Sequence, residues 1–252
     1  MIKELAAIFD RLARAEEQLK EIERKLLSYY NSDPCTMSGE YDPNAEGRGT
    51  ARIMVDSMNV RLNTLIGEFL HDLRSALDHL AWQLVLHNKG HPTADTTFPI
   101  LKTAPPTNKH GQRTLPNIAG GISQTARAVI DSSQPYQFGP RYTTHPLWML
   151  HQLWNIDKHR HVIARGGWPE RHFVGANLPR FTYTARFESA TPNMARYSLI
   201  PDDPSVNVKA YLTIQAALHE PEHGIERALL HTLKELLQAA IRIVTTAEDR
   251  CF

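Results

Sequence analysis

The chain has 252 residues, of which 42% are hydrophobic and 22% charged. That is enough to bury a substantial core in one large domain or two small ones, and it excludes a disordered or fibrous chain. A formal net charge of +1 and only two cysteines, Cys35 and Cys251, give no global attraction to nucleic acid and no disulfide framework.

The first predicted element is a helix over residues 2–30. Leu5, Ile8, Leu12, Ala15, Leu19, Ile22, Leu26 and Tyr29 follow one another by three and four, a heptad seam. Residues 1–31 therefore read as an N-terminal heptad helix packed on a bundle or paired with its copy in a homodimer. The stretch "NSDPCTMSGEYDPNAEGRG" reads as a long loop. A second helix is expected from residue 50 or 51 to 87, more than about 50 Å long at 1.5 Å per residue. Its stripe is Ile53, Met58, Leu62, Leu65, Phe69, Leu73, Leu77, Leu80 and Leu84, and Gly67 weakens its middle modestly.

Residues 88–117 read as loop, with Phe98 and Ile100 tucked against the helices. A short helix is expected over 118–132, a turn region over 132–141, and a helix over 146–166 opened by Pro146. The period then changes to two. Phe181, Tyr183, Ala185 and Phe187 alternate, Tyr197 and Leu199 continue the pattern, and Val206, Val208, Ala210, Leu212 and Ile214 alternate strictly. Helix returns over 224–247. The expected fold is α+β, mostly α: a long-helix bundle over residues 49–247 with a small antiparallel β-sheet inserted at about 171–216, before the C-terminal helix. No stretch has the form of a signal peptide or of a membrane span of about 20 apolar residues, so the cytoplasm is the expected setting.

Two polar clusters carry candidate chemistry. In "LHDLRSALDHLAW", His71, Ser75 and Asp78 fall within roughly 60° of one another on a helical wheel, with Arg74 at the edge and His79 rotated about 140° from Arg74. A histidine can exchange protons near neutral pH, and an arginine can hold a phosphate by paired hydrogen bonds. Together they suit metal-free RNA cleavage, in which the 2′-OH attacks the adjacent phosphate. The structural alternative is an i,i+4 ion pair of Arg74 with Asp78, and a half-buried His79. In "HQLWNIDKHRH", His151, Asn155, Lys158 and His159 share one helix side, Asp157 can pair with Arg160 or His161, and the asparagine and histidine are placed to reach the Arg74 face. Residues 141–180 hold six Arg or Lys, two acids and five of the 13 histidines, a locally basic setting. Trp82, Trp148 and Trp154 lie at helical spacing among leucines and read as core. The "GGWPERH" segment reads as a helix stop.

A metal site, if present, would draw on His71, Asp78, His151 and His159. There is no HExxH motif, no Glu-rich di-metal constellation, no phosphate-binding Gly loop and no GxSxG elbow, so no cofactor is expected.

"LRSALDHL" followed by "NIDKHR" resembles a broad group of bacterial, frequently actinobacterial, proteins across about residues 50–245. The spacing from Arg74 to His79 also resembles the arginine, four residues, histidine motif of the HEPN superfamily. That resemblance implies an often dimeric helical bundle and a metal-independent endoribonuclease of defence or toxin type. It makes Arg74 and His79 the catalytic pair on RNA phosphate. His71, Asp78, Asn155, Asp157, Lys158, His159 and Arg160 would support them or hold phosphate, and a protein partner or antitoxin would accompany a toxin. The alternatives are a non-catalytic helical scaffold or binding protein, and a metal-dependent hydrolase using the His/Asp set.

Overall fold

The computed structural model describes residues 3–40, 50–56, 58, 60–107, 114–116, 118, 121–160, 162, 164–170, 183–201 and 210–252. The fold is a mostly helical bundle with a small antiparallel sheet before the last helix. Its helices are α1 (Ala6–Asn31), α2 (Val60–His87), α3 (Gln124–Ser132), α4 (Pro146–His159) and α5 (Leu229–Cys251). Its strands are β1 (Cys35–Glu40), β2 (Thr50–Val55), β3 (Ala164–Glu170), β4 (Tyr183–Thr191), β5 (Met194–Pro201), β6 (Ala210–Glu220) and β7 (Ile225–Ala228). No described helix is long and apolar enough to cross a membrane.

The chain divides into two compact units, one of residues 1–20, 64–162 and 231–252, the other of residues 21–63 and 163–230. The first unit is helical. Along α2 it buries Phe69, Leu70, Leu73, Ala76, Leu77, Leu80, Ala81 and Leu84, a stripe at spacings of three and four wide enough for a core-facing helix. Trp82 departs from the sequence expectation: at 39% exposure it lies outside the core. Helix α3 starts six residues later than expected, because Ser123 caps it by accepting from the Ala126 amide. Helix α4 begins as expected, with Pro146 in its first turn and the His145 side chain accepting from the Leu147 amide. The loop after α2 is pinned by the fully buried Gln134, whose Nε2 donates to the Pro99 carbonyl at 2.9 Å and whose Oε1 accepts from the Leu101 amide at 3.0 Å. Phe98 is fully buried, as expected, and Ile100 is half-buried.

The second unit holds the strands. A five-stranded antiparallel sheet runs β3-β6-β5-β4, with β7 pairing the end of β6. The turn joining β4 and β5 is two residues, between Thr191 and Met194. Tyr30 is buried here, and its hydroxyl accepts from the Ala216 amide of β6 at 2.6 Å.

Several expected boundaries are corrected. Residues 50–55 are strand, paired in register with β1 from Cys35↔Val55 to Glu40↔Thr50, and not the start of α2. The segment "TARIMV" is rich in β-formers, and a partner strand satisfies its backbone. With 28 residues, α2 is about 42 Å long. Helix α4 stops at His159, where Arg160 turns extended, and the glycines of "ARGGWPE" lie in β3, so "GGWP" is strand. Residues 225–228 are likewise strand, so α5 starts at Leu229. The sheet therefore spans 164–228, wider than the expected insertion. The seam of α1 is buried within the single chain and ends on Tyr30, not Tyr29. A straight helix of 3.6 residues per turn drifts from a strict heptad, and four residues after Leu26 is the better step. Phe181, Val206, Val208 and His161 lie outside the described residues.

Candidate functional site

The site is built on facing side chains of α2 and α4 in the first unit. Arg74 projects from the leucine-rich side of α2, and its side chain is only 7% exposed. Its Nη2 donates to the Phe98 carbonyl at 2.8 Å and pairs with Asp78 Oδ1 at 2.8 Å. The same Asp78 oxygen accepts from the Phe98 amide at 2.8 Å. Two side chains one turn apart thus hold both polar groups of Phe98, whose ring fills the core. Burial pushes the Asp78 carboxyl above its ordinary range, against the pull of Arg74 and the Phe98 amide.

Above the guanidinium lies Trp154 of α4, its ring centroid 5.3 Å from Arg74 Cζ. Lys158, one turn further along α4, places Nζ 3.2 Å from the centroid of the same ring. Burial, then the Arg74 charge, lower the Lys158 pKa. His151 completes the corner. Asn155 Nδ2 lies 3.0 Å from His151 Nε2. An amide nitrogen only donates, so Nε2 accepts and the imidazole proton sits on Nδ1. Burial, then Arg74 and Lys158, lower the His151 pKa, so the ring is neutral near pH 7.

Three buried atoms of this corner, Arg74 Nε, Arg74 Nη1 and His151 Nδ1, have no hydrogen-bond partner among the described residues. All three are donors. Two cations and one carboxylate leave the corner with one excess positive charge. Such a corner can receive an anion and offset its charge. It offers no free general base, because the His151 lone pair is used by Asn155.

The remaining expected residues are placed elsewhere. His79 is exposed on α2 and makes no hydrogen bond to Arg74; its pKa is lowered by partial burial and by Arg11. Arg11 is itself paired with Asp72 at 3.2 Å. His71 is exposed. His159 and Arg160 are exposed at the end of α4. Asp157 packs against α2 at Gly67, where a Cβ would come within 2.5 Å of its carboxylate. A side chain at Gly67 would have to displace that carboxylate. Asn155 bonds His151 within α4, so the expected bridge to the Arg74 face is made by Trp154 instead.

The metal set is not assembled: among the described residues no three His, Cys, Asp or Glu side chains gather as a metal would require. Asp78 is taken by Arg74 and Phe98, while His71 and His159 point to solvent. Trp154 is the member that reading the tryptophans as core passed over. Its signal was the i,i+4 spacing to Lys158. No family model matches the chain, and neither a curated protein nor a solved structure is significantly similar to it.

Proposed function

We propose that the protein is an RNA-binding helical module that takes a phosphodiester at the Arg74–Trp154–Lys158 corner and does not itself cut it. The observation that carries this reading is the set of buried donors on Arg74 and His151 with no acceptor. A phosphodiester supplies acceptor oxygens and one negative charge, against the one positive charge of the corner. Lys158 is exposed and Trp154 is half-buried, so they form the outer part of the site. When Lys158 moves from the ring to a phosphate, the freed face of Trp154 can stack a base, the combination used for single-stranded RNA. An RNA target also fits work in the cytoplasm.

A second reading is the metal-independent endoribonuclease implied by the HEPN resemblance, with Arg74 and His79 as its catalytic pair. One observation favours it: His79 is exposed with its pKa below the ordinary value, so it is neutral and competent as a base at pH 7. Its Arg74 would then act from a distance or in an assembly of copies.

Both readings are tested in one experiment. A dual-labelled single-stranded RNA is titrated in EDTA against the native protein and the Lys158→Ala, Arg74→Lys and His79→Ala variants. Polarisation reports binding, and gel analysis of the same samples reports cutting. Binding weakened by Lys158→Ala and Arg74→Lys, without cutting, supports the module. Cutting in EDTA that is lost in Arg74→Lys and His79→Ala makes the nuclease the correct reading. Binding indifferent to Lys158 and Arg74 overturns the first.

A further inference from the structure

A second site lies in the first unit, away from the Arg74 corner. A cleft of about 380 Å³ opens between the end of α3, the start of α4 and the face of α5. That size is within the ordinary range for small-molecule sites, roughly 300–1,000 Å³.

Its polar lining divides into donors and acceptors. Arg242 of α5 is exposed, and its guanidinium has no ion pair among the described residues. No carboxylate lines the cleft among the described residues. His145 uses Nδ1 to accept from the Leu147 amide, so its proton is on Nε2. Burial and the nearby Arg242 charge keep this imidazole neutral. Arg242 and His145 are therefore the donors. The hydroxyls behave in the opposite way. Ser132 donates to the Val129 carbonyl, Ser133 to Ile130 and Thr246 to Arg242, at 3.0, 2.8 and 2.6 Å. With their protons used inside their own helices, they present lone pairs to the cleft.

The helix ends follow the same division. Ser132 and Ser133 end α3, whose C-terminal carbonyls carry partial negative charge, and His145 and Pro146 open α4, whose N-terminus is partially positive. Val129, Phe138 and Ile243 add apolar side chains to the lining. Phe138 is 49% exposed and meets the His145 ring edge-on at 4.7 Å, at the rim.

The geometry points to a binding site for a small zwitterion with an apolar side chain, an apolar α-amino acid, in the cleft between α3, α4 and α5. Its carboxylate pairs with Arg242 and the His145 Nε2–H. Its ammonium donates to the Ser132 and Ser133 oxygens at the α3 end and to the Thr246 oxygen of α5. Its side chain packs on Val129, Ile243 and Phe138. One cation and one neutral donor match a carboxylate better than a phosphate dianion.

The test titrates the full chain with L-leucine, with 4-methylpentanoate (no ammonium) and with isopentylamine (no carboxylate). Binding is read by ¹H–¹⁵N NMR shifts. Leucine is expected to saturate at millimolar or lower concentration and to bind at least tenfold tighter than either analogue. Arg242→Gln is expected to weaken leucine at least tenfold, and Phe138→Ala several-fold. Both positions are exposed, so the fold persists, as circular dichroism will verify. Absence of saturation by leucine, equal binding of 4-methylpentanoate, or leucine binding unchanged in Arg242→Gln would each overturn the proposal. None of these outcomes bears on RNA binding at the Arg74 corner.

Discussion

Arg74 and Asp78 grip one residue between them: the guanidinium donates to the Phe98 carbonyl while the carboxylate accepts from the Phe98 amide, each at 2.8 Å. The pair substitutes for a neighbouring strand, satisfying both backbone groups of a loop residue whose ring is fully buried. This ties the loop to α2 and holds the Arg74 guanidinium beneath the Trp154 ring of α4, 5.3 Å from its centroid.

Arg74→Ala is expected to lower stability by about 3 kcal/mol, because it strands a largely buried carboxylate and the Phe98 carbonyl. Asp78→Asn keeps an oxygen for the Phe98 amide and is expected to cost less, about 1–2 kcal/mol. Urea unfolding of both variants measures the order. Equal, small losses would mean that the Phe98 loop is held by Gln134 alone.

His151 should carry its proton on Nδ1. In ¹⁵N NMR its Nδ1 is expected at the protonated position and its Nε2 at the unprotonated one, and Asn155→Ala should release that preference. The reverse tautomer would remove one of the three donors on which the anion site rests.

The same histidine makes stability fall in mild acid. Its folded pKa lies below the unfolded value of about 6.5, as do those of His79 and His145. The unfolded chain then binds more protons, so the contribution is complete above pH 6.5 and declines as pH falls towards the folded values. His151→Gln should flatten part of the decline in urea midpoint between pH 7.5 and 5.5; an unchanged slope would assign it to the other two.

Lys158→Ala should weaken RNA binding with little loss of stability, since the residue is exposed. If Lys158 neutralises one phosphate, the slope of log K against log salt should fall by about 0.7 to 1. A slope that does not change would mean that the lysine serves only to cover Trp154.

Tyr30→Phe is expected to cost about 1–3 kcal/mol, because the buried Ala216 amide loses its acceptor. Burial holds the phenol well above its ordinary pKa, so no alkaline titration of Tyr30 should precede unfolding.

The local chemistry was legible in the chain. The leucine stripe of α2, the seam from Leu5 to Leu26 and the Arg74–Asp78 pair all rest on spacings of three and four residues, which helix geometry converts directly into shared faces; the start of α4 rests on Pro146, whose fixed φ and missing N–H suit a first helical turn. The change to period two announced a sheet before the last helix. Partners distant in sequence were not legible. Phe98 lies 24 residues from Arg74, and nothing in its neighbourhood marks its backbone as the object of a clamp. Trp154 reads as core until α2 sets an arginine beneath it. Residues 50–55 fit a helical stripe as well as a strand, and pairing with β1 decided the matter because a strand needs a neighbour for its backbone groups. His79, five residues from Arg74, was bound by the 100° turn per residue to point elsewhere on α2. Tertiary packing buried the one side chain and exposed the other.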